Sequence, residues 1–209
     1  MNLKCVRIWR CSGLAVLLLA LGSFVSTSAQ SPIDGIDART NTTELAQQLG
    51  SPDPLLRQRS AEGLARLAAV DQRKLVEGYQ LQEKNKEVKL ALDWALYRMG
   101  RSEALFRIVK ELDSGRQMQA MGYLSELESP DLLYPYLKRT NTPPRVTSGL
   151  IKALARIGNA ETLELIKPYR ESLQPYVAEA AETACDEIEK RLGEDTTPSK
   201  SRPRTVQKP

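Results

Sequence analysis

Residues 88–100 read VKLALDWALYRMG, and residues 146–158 read VTSGLIKALARIG. In each, an apolar residue opens the segment, an Ala-Leu pair stands seven and eight places later, and an apolar-Gly pair closes it. Looser copies begin at Leu56 (LRQRSAEGLARLA), Arg116 (RQMQAMGYLSELE) and Val177 (VAEAAETACDEIE). The first slot of the pair holds Gly63, Ala95, Tyr123, Ala153 and Ala184 in turn, at steps of 32, 28, 30 and 31 residues. The apolar residues at 88, 92, 95, 96 and 99 follow a 3.6-residue period, so each segment reads as one helix. A helical unit recurring at this spacing predicts stacked repeats that bury their apolar faces only between neighbours. The expected fold is all-α, a right-handed α-solenoid of about five helical hairpins.

The pattern places inner helices over 54–69, 86–99, 115–127, 144–157 and 175–192. Outer helices are expected over 43–49, 71–82, 102–112, 130–139 and 160–172. Asp53-Pro54 and Ser129-Pro130 read as an N-cap followed by Pro at the first helical position. Gly100 and Gly158 read as left-handed helix stops. Pro135 and Pro168 fall within outer helices and are expected to kink them. Tyr123 stands where a small residue is the rule, which predicts local splaying of the third repeat. The second outer helix is poorly apolar, with Leu75, Val76 and Tyr79.

These segments resemble the HEAT repeat family, and within it the short repeats of phycobilisome-lyase HEAT-like proteins. The resemblance covers about residues 41–192 and is strongest at 88–100 and 146–158. It implies a scaffold whose inner helices line a concave binding face. The Arg that usually follows the opening apolar residue in that family is Arg57 here and becomes Lys89, Gln117, Thr147 and Ala178 in the other repeats. Some short-repeat relatives attach or detach bilins in the cytosol.

The ends of the chain differ in character from the repeats. Residues 1–29 combine Lys4, Arg7 and Arg10, an apolar run at 13–25, and small residues with Thr27 and Ala29 suited to cleavage. That arrangement predicts a signal peptide and export, most simply to a bacterial periplasm. The apolar run is too short for a conventional membrane span. Residues 30–40 read as a linker. Residues 193–209, rich in Thr, Pro and Ser with four cations, read as a disordered basic tail. Three of the 30 basic residues precede residue 30. Four more, with two of the 26 acids, follow residue 193, leaving 23 basic and 24 acidic residues between. The high pI therefore belongs to the ends, and the repeats lack the basic excess that nucleic acid binding requires.

The chain has no histidine, so Ser-His and Cys-His pairs and His-based metal motifs are excluded. Cys185 would be the sole cysteine after signal removal, in a slot that the repeat makes buried. No catalytic, metal or cofactor residues are assigned, and the expectation is a non-enzyme.

One feature rises above the background. Positions 3, 7 and 10 of each inner segment are expected to face away from the core. They are polar or small in most repeats but Leu90, Trp94 and Tyr97 in the second, with Met118 adjacent in the third. Together these form a candidate partner-binding patch. Alternatively, Trp94 packs into the gap left by the weak second outer helix. The function expected on these grounds is an exported, non-enzymatic protein-binding adaptor or assembly scaffold that takes another protein or peptide on its concave face. The alternatives are a bilin-lyase-like chromophore-handling protein and a structural component of an envelope complex.

Overall fold

The computed structural model describes residues 36–195. The expected signal peptide at 1–29, and all of the expected tail but its first residues, lie outside them. Among the described residues there are ten α-helices and no strand. Five inner helices, α2 (Pro54–Arg66), α4 (Lys86–Arg98), α6 (Gln117–Leu124), α8 (Pro144–Ile157) and α10 (Pro175–Asp195), alternate with five outer ones. The outer helices are α1 (Ile36–Gln48), α3 (Arg73–Gln82), α5 (Ala104–Lys110), α7 (Tyr134–Leu137) and α9 (Ala160–Ile166). At the ends, α1 begins inside the stretch read as linker and α10 continues beyond Leu192; α6, α7 and α9 are several residues shorter than the expected 115–127, 130–139 and 160–172.

Side-chain caps fix the starts of α2, α4 and α9. The Asp53 carboxylate accepts from the Leu55 N–H at 3.0 Å, with Pro54 opening α2. Asn85 accepts from the Val88 N–H at 3.0 Å, ahead of α4. Asn159 and Thr162 form a reciprocal capping box at α9. The prolines inside the outer elements break them instead of kinking them. Pro135 lies in the first turn of the four-residue α7, and Pro168 lies in the 3₁₀ segment Lys167–Glu171. Each lacks the N–H that a continuing α-helix would need.

The helix ends show which glycine is conformational and which is steric. Gly100 has φ +93, and the bonds Gly100 N–H to Tyr97 O and Arg101 N–H to Leu96 O (both 2.9 Å) complete a left-handed stop. Ala68 holds the equivalent place with φ 45, a conformation that a Cβ disfavours: its N–H donates to Ala65 O at 3.0 Å and the Ala69 N–H donates to Leu64 O at 3.2 Å. Gly158 corrects the sequence reading. Its φ of −68 and ψ of 155 are extended, not left-handed. Gly is needed there because a Cβ would stand 2.6 Å from the Leu154 carbonyl oxygen and 2.9 Å from Ile188 Cδ1. The carbonyls left over at the end of α8 are taken up by Arg191 of α10. It donates to Ala155 O at 3.0 Å and to Gly158 O at 2.7 Å.

Packing runs from one inner helix to the next. Ala95, Ala153 and Ala184 are fully enclosed, and Leu96, Leu124, Leu154, Met99 and Leu127 are buried beside them. The contacts of α2 with α4 and of α8 with α10 are extensive. Those of α4 with α6 are sparse, which is where Tyr123 replaces the small residue. Arg57 ties the first repeat to the second. Its Nε and Nη2 donate to the Glu83 carboxylate at 2.8 and 3.0 Å, and Nη1 donates to Ser51 O at 2.8 Å.

Two predictions follow from this packing. Leu154→Ala should destabilise the array by about 2–5 kcal/mol, a truncation in a fully enclosed site. Lys152→Ala, two residues earlier but exposed, should cost little. Equal melting temperatures would place the helix phase in error. The Arg57 hydrogen bond holds the Glu83 carboxyl below its ordinary value of 4.5. Because the folded value is the lower one, this stabilisation is complete above pH 4.5 and is lost as pH falls through the depressed value. Glu83→Gln should therefore cost about 1–2 kcal/mol at neutral pH. In thermal unfolding, the gap between variant and parent should close in acid.

Candidate binding groove on the inner helices

When the five copies are aligned by their Ala-Leu slot, positions 7 and 11 of every repeat open onto one surface. Position 7 holds Glu62, Trp94, Gly122, Lys152 and Thr183, and position 11 holds Arg66, Arg98, Glu126, Arg156 and Glu187. All ten line two cavities. One, of 470 Å³, lies across α2, α4 and α6, and the other, of 570 Å³, lies across α6, α8 and α10. Both are lined by Gly122, so they meet on α6 and form one groove over all five inner helices. A Cβ built on Gly122 would have no heavy atom within 4 Å, so open space lies above the midpoint of the groove.

The floor of the first half is aromatic. The Trp94 ring stacks on Tyr123 with centroids 5.5 Å apart and planes 1° from parallel, and on Tyr97 at 5.6 Å. The Arg98 guanidinium lies over the Trp94 ring at 5.6 Å. The Tyr123 hydroxyl donates to the Glu62 carboxylate at 2.6 Å and accepts from Gln119 Nε2 at 2.8 Å. Burial pushes its phenol well above the usual tyrosine value, and the bond to Glu62 adds to that. The groove wall carries both signs, with Glu62, Arg66, Arg98 and Glu126 in the first half and Lys152, Arg156, Glu179 and Glu187 in the second.

This geometry corrects the expected patch in two respects. Leu90 and Trp94 are 2% and 3% exposed, Tyr97 is half-buried, and only Met118 stands in solvent. The four also open onto four different cavities. Trp94 and Met118 lie in the two halves of the groove, Tyr97 faces a cavity beside Gly100, and Leu90 faces one between α4 and α5. The reason is length. Residues 90 and 97 share a helix face but stand about 10 Å apart along the axis, so each meets a different neighbour. Trp94 does fill a gap, stacked against Tyr123 of the third repeat.

Positions 3, 7 and 10 were expected to face away from the core. Position 7 lines the groove in every repeat, and so do Met118 and Glu179 of position 3 and Ala65, Ser125 and Ala155 of position 10, although Ala65 and Ala155 are buried at its base. Position 11 is the row that was not expected there. Arg98, Gln119, Gly122 and Glu126 were missed as site residues, although the charged residue at position 11 of every copy was a readable signal. Cys185 is fully buried, and burial pushes its thiol above the ordinary value. No helix among the described residues is long and apolar enough to cross a membrane.

No family model matches the chain, and no curated protein matches it. Similar solved structures do exist. An engineered protein matches at 20% identity over 74% of this chain and 81% of its own, with a TM-score of 0.34. Human deoxyhypusine hydroxylase in complex with glycerol matches at 16% identity over 74% of this chain and 75% of its own, with a TM-score of 0.31. The hydroxylase is itself a HEAT-repeat-like, all-helical protein. The expectation of a non-enzyme is withdrawn, since one of the solved structures similar to this chain is an enzyme.

The burial of Trp94 gives a direct test. In protein starting at Gln30, Trp94 is the single tryptophan. Its emission should be blue-shifted and protected from aqueous quenchers, and Trp94→Ala should cost about 3–5 kcal/mol of stability. Emission typical of a hydrated indole would refute the stacked geometry.

Proposed function

We propose that this chain is an exported protein-binding adaptor or assembly scaffold. In this reading it is a right-handed, HEAT-like solenoid, and its concave inner-helix face holds an extended segment of another protein. The supporting observation is the continuity of the groove: one residue from position 7 and one from position 11 of every repeat line it, with no repeat skipped. Five helices packed at 8–10 Å intervals span about 32–40 Å, the length of about 10–12 residues of extended chain. Trp94 and Tyr123 offer a rigid aromatic floor on one side of Gly122, and Met118 offers an exposed apolar side chain on the other. The balance of acidic and basic groups on the wall favours a partner segment of mixed charge over a polyanion such as nucleic acid. Chromophore attachment is disfavoured, because the thiol of Cys185 is enclosed.

Gly122 supplies the test. It lies mid-helix with open space above it, so Gly122→Trp should obstruct the groove without disturbing the core. Replacing a helical glycine should leave stability unchanged or raise it by up to about 1 kcal/mol. Affinity capture from the envelope fraction with the processed protein should retain its partner with Gly122→Ala and lose it with Gly122→Trp. Undiminished capture by Gly122→Trp, with its melting temperature preserved, would rule the groove out.

A further inference from the structure

A second cavity, of 330 Å³, opens between α4 and α5 and is built differently from the groove. Five cations line it: Lys86 and Lys89 of α4, Arg107 and Lys110 of α5, and Arg116. Two carboxylates share it, and both are already engaged. Asp93, mostly enclosed, accepts from Arg107 Nε at 2.7 Å and Gln80 Nε2 at 3.0 Å. Glu111 accepts from Arg116 Nε at 2.8 Å, Arg116 Nη2 at 2.6 Å and Ser114 Oγ at 2.6 Å. These bonds hold the two guanidinium groups in place and leave N–H donors to spare. Among the described residues, Lys86, Lys89 and Lys110 have no ion pair or side-chain hydrogen bond. The cavity therefore carries a formal charge of +3, while the repeats as a whole are close to neutral. Like charges gathered around a concave site repel one another unless an anion enters.

We propose that this cavity is a binding site for a small phosphate polyanion carrying two or more negative charges. Arg107 and Arg116 provide fixed, directional donors for phosphoryl oxygens. The three lysines provide mobile point charges around them. The volume lies at the lower end of the range for small-ligand sites, enough for a pyrophosphate-sized ion. Lys89 is the second repeat's residue at the position that is Arg57 in the first. Arg57 is engaged with Glu83, whereas Lys89 is left for a ligand. The site is distinct from the groove, since none of its cations lines either groove cavity.

The probe is inorganic pyrophosphate at low ionic strength, followed by calorimetric titration and by the shift in melting temperature. Binding should appear with a Kd at or below about 1 mM and weaken steeply with added salt. The double variant Lys89→Gln/Lys110→Gln should lose at least tenfold in affinity while keeping its helical circular dichroism, because neither ammonium group has a protein partner to lose. Lys74→Gln/Lys190→Gln, which removes two exposed lysines elsewhere, should leave the affinity unchanged. Gly122→Trp should also bind pyrophosphate normally, which separates this site from the proposed groove. Absence of binding, equal loss in the two double variants, or an equal thermal shift from chloride at matched ionic strength would overturn the proposal.

Discussion

Close approach between consecutive helices is the constraint on which the rest of this structure depends. A Cβ at Gly63 would stand 3.0 Å from Leu45, one at Gly149 would stand 2.9 Å from Leu112, and one at Gly158 would collide with three atoms. The alanines of the Ala-Leu slots act in the same way, fully enclosed and too small to hold neighbours apart. A single hairpin of this length cannot enclose enough apolar surface to offset its own ordering entropy. Cohesion therefore comes from one repeat resting on the next, and small residues permit the contact at which dispersion and burial become effective.

Where the constraint is relaxed, the groove gains its character. Tyr123 occupies a small-residue slot, and α6 meets α4 only sparsely. The space is filled by the Tyr123 ring itself, parallel to Trp94, with its hydroxyl on Glu62 of the first repeat. Gly122, the preceding residue, presents nothing to the groove. One substitution in the packing slot thus supplies an aromatic floor, a link between the first and third repeats, and an unobstructed midpoint.

Charge is distributed with similar locality. The repeats are nearly neutral in sum, yet the groove wall mixes both signs and the cavity between α4 and α5 is strongly basic. Arg57, Arg107 and Arg116 are held by carboxylates, and Arg191 by backbone carbonyls at the end of α8. The arginines are thus engaged in positioning, while the lysines beside Arg107 and Arg116 remain unpaired.

The all-helical character, the order and approximate position of the helices and the burial of Cys185 were legible in the sequence. They depend on local periodicity, on caps such as Asp53-Pro54, and on the recurrence of one small-large pair. The breaks at Pro135 and Pro168 were legible in position, though not in severity. The sequence placed rows 3, 7 and 10 on one face but not the charged row 11, and it grouped with Trp94 and Met118 two residues, Leu90 and Tyr97, that line other cavities. A 3.6-residue period states which residues share a side of a helix. It does not state which of them a neighbouring repeat will cover. That depends on the offset and tilt between adjacent helices, which is set by how Tyr123 fits over Trp94 and how tightly Gly158 sits against Ile188. The sequence by itself determined that these helices would stack. Only the tertiary structure decided which rows of side chains would remain uncovered, because exposure in a stacked array belongs to pairs of repeats and not to any one of them.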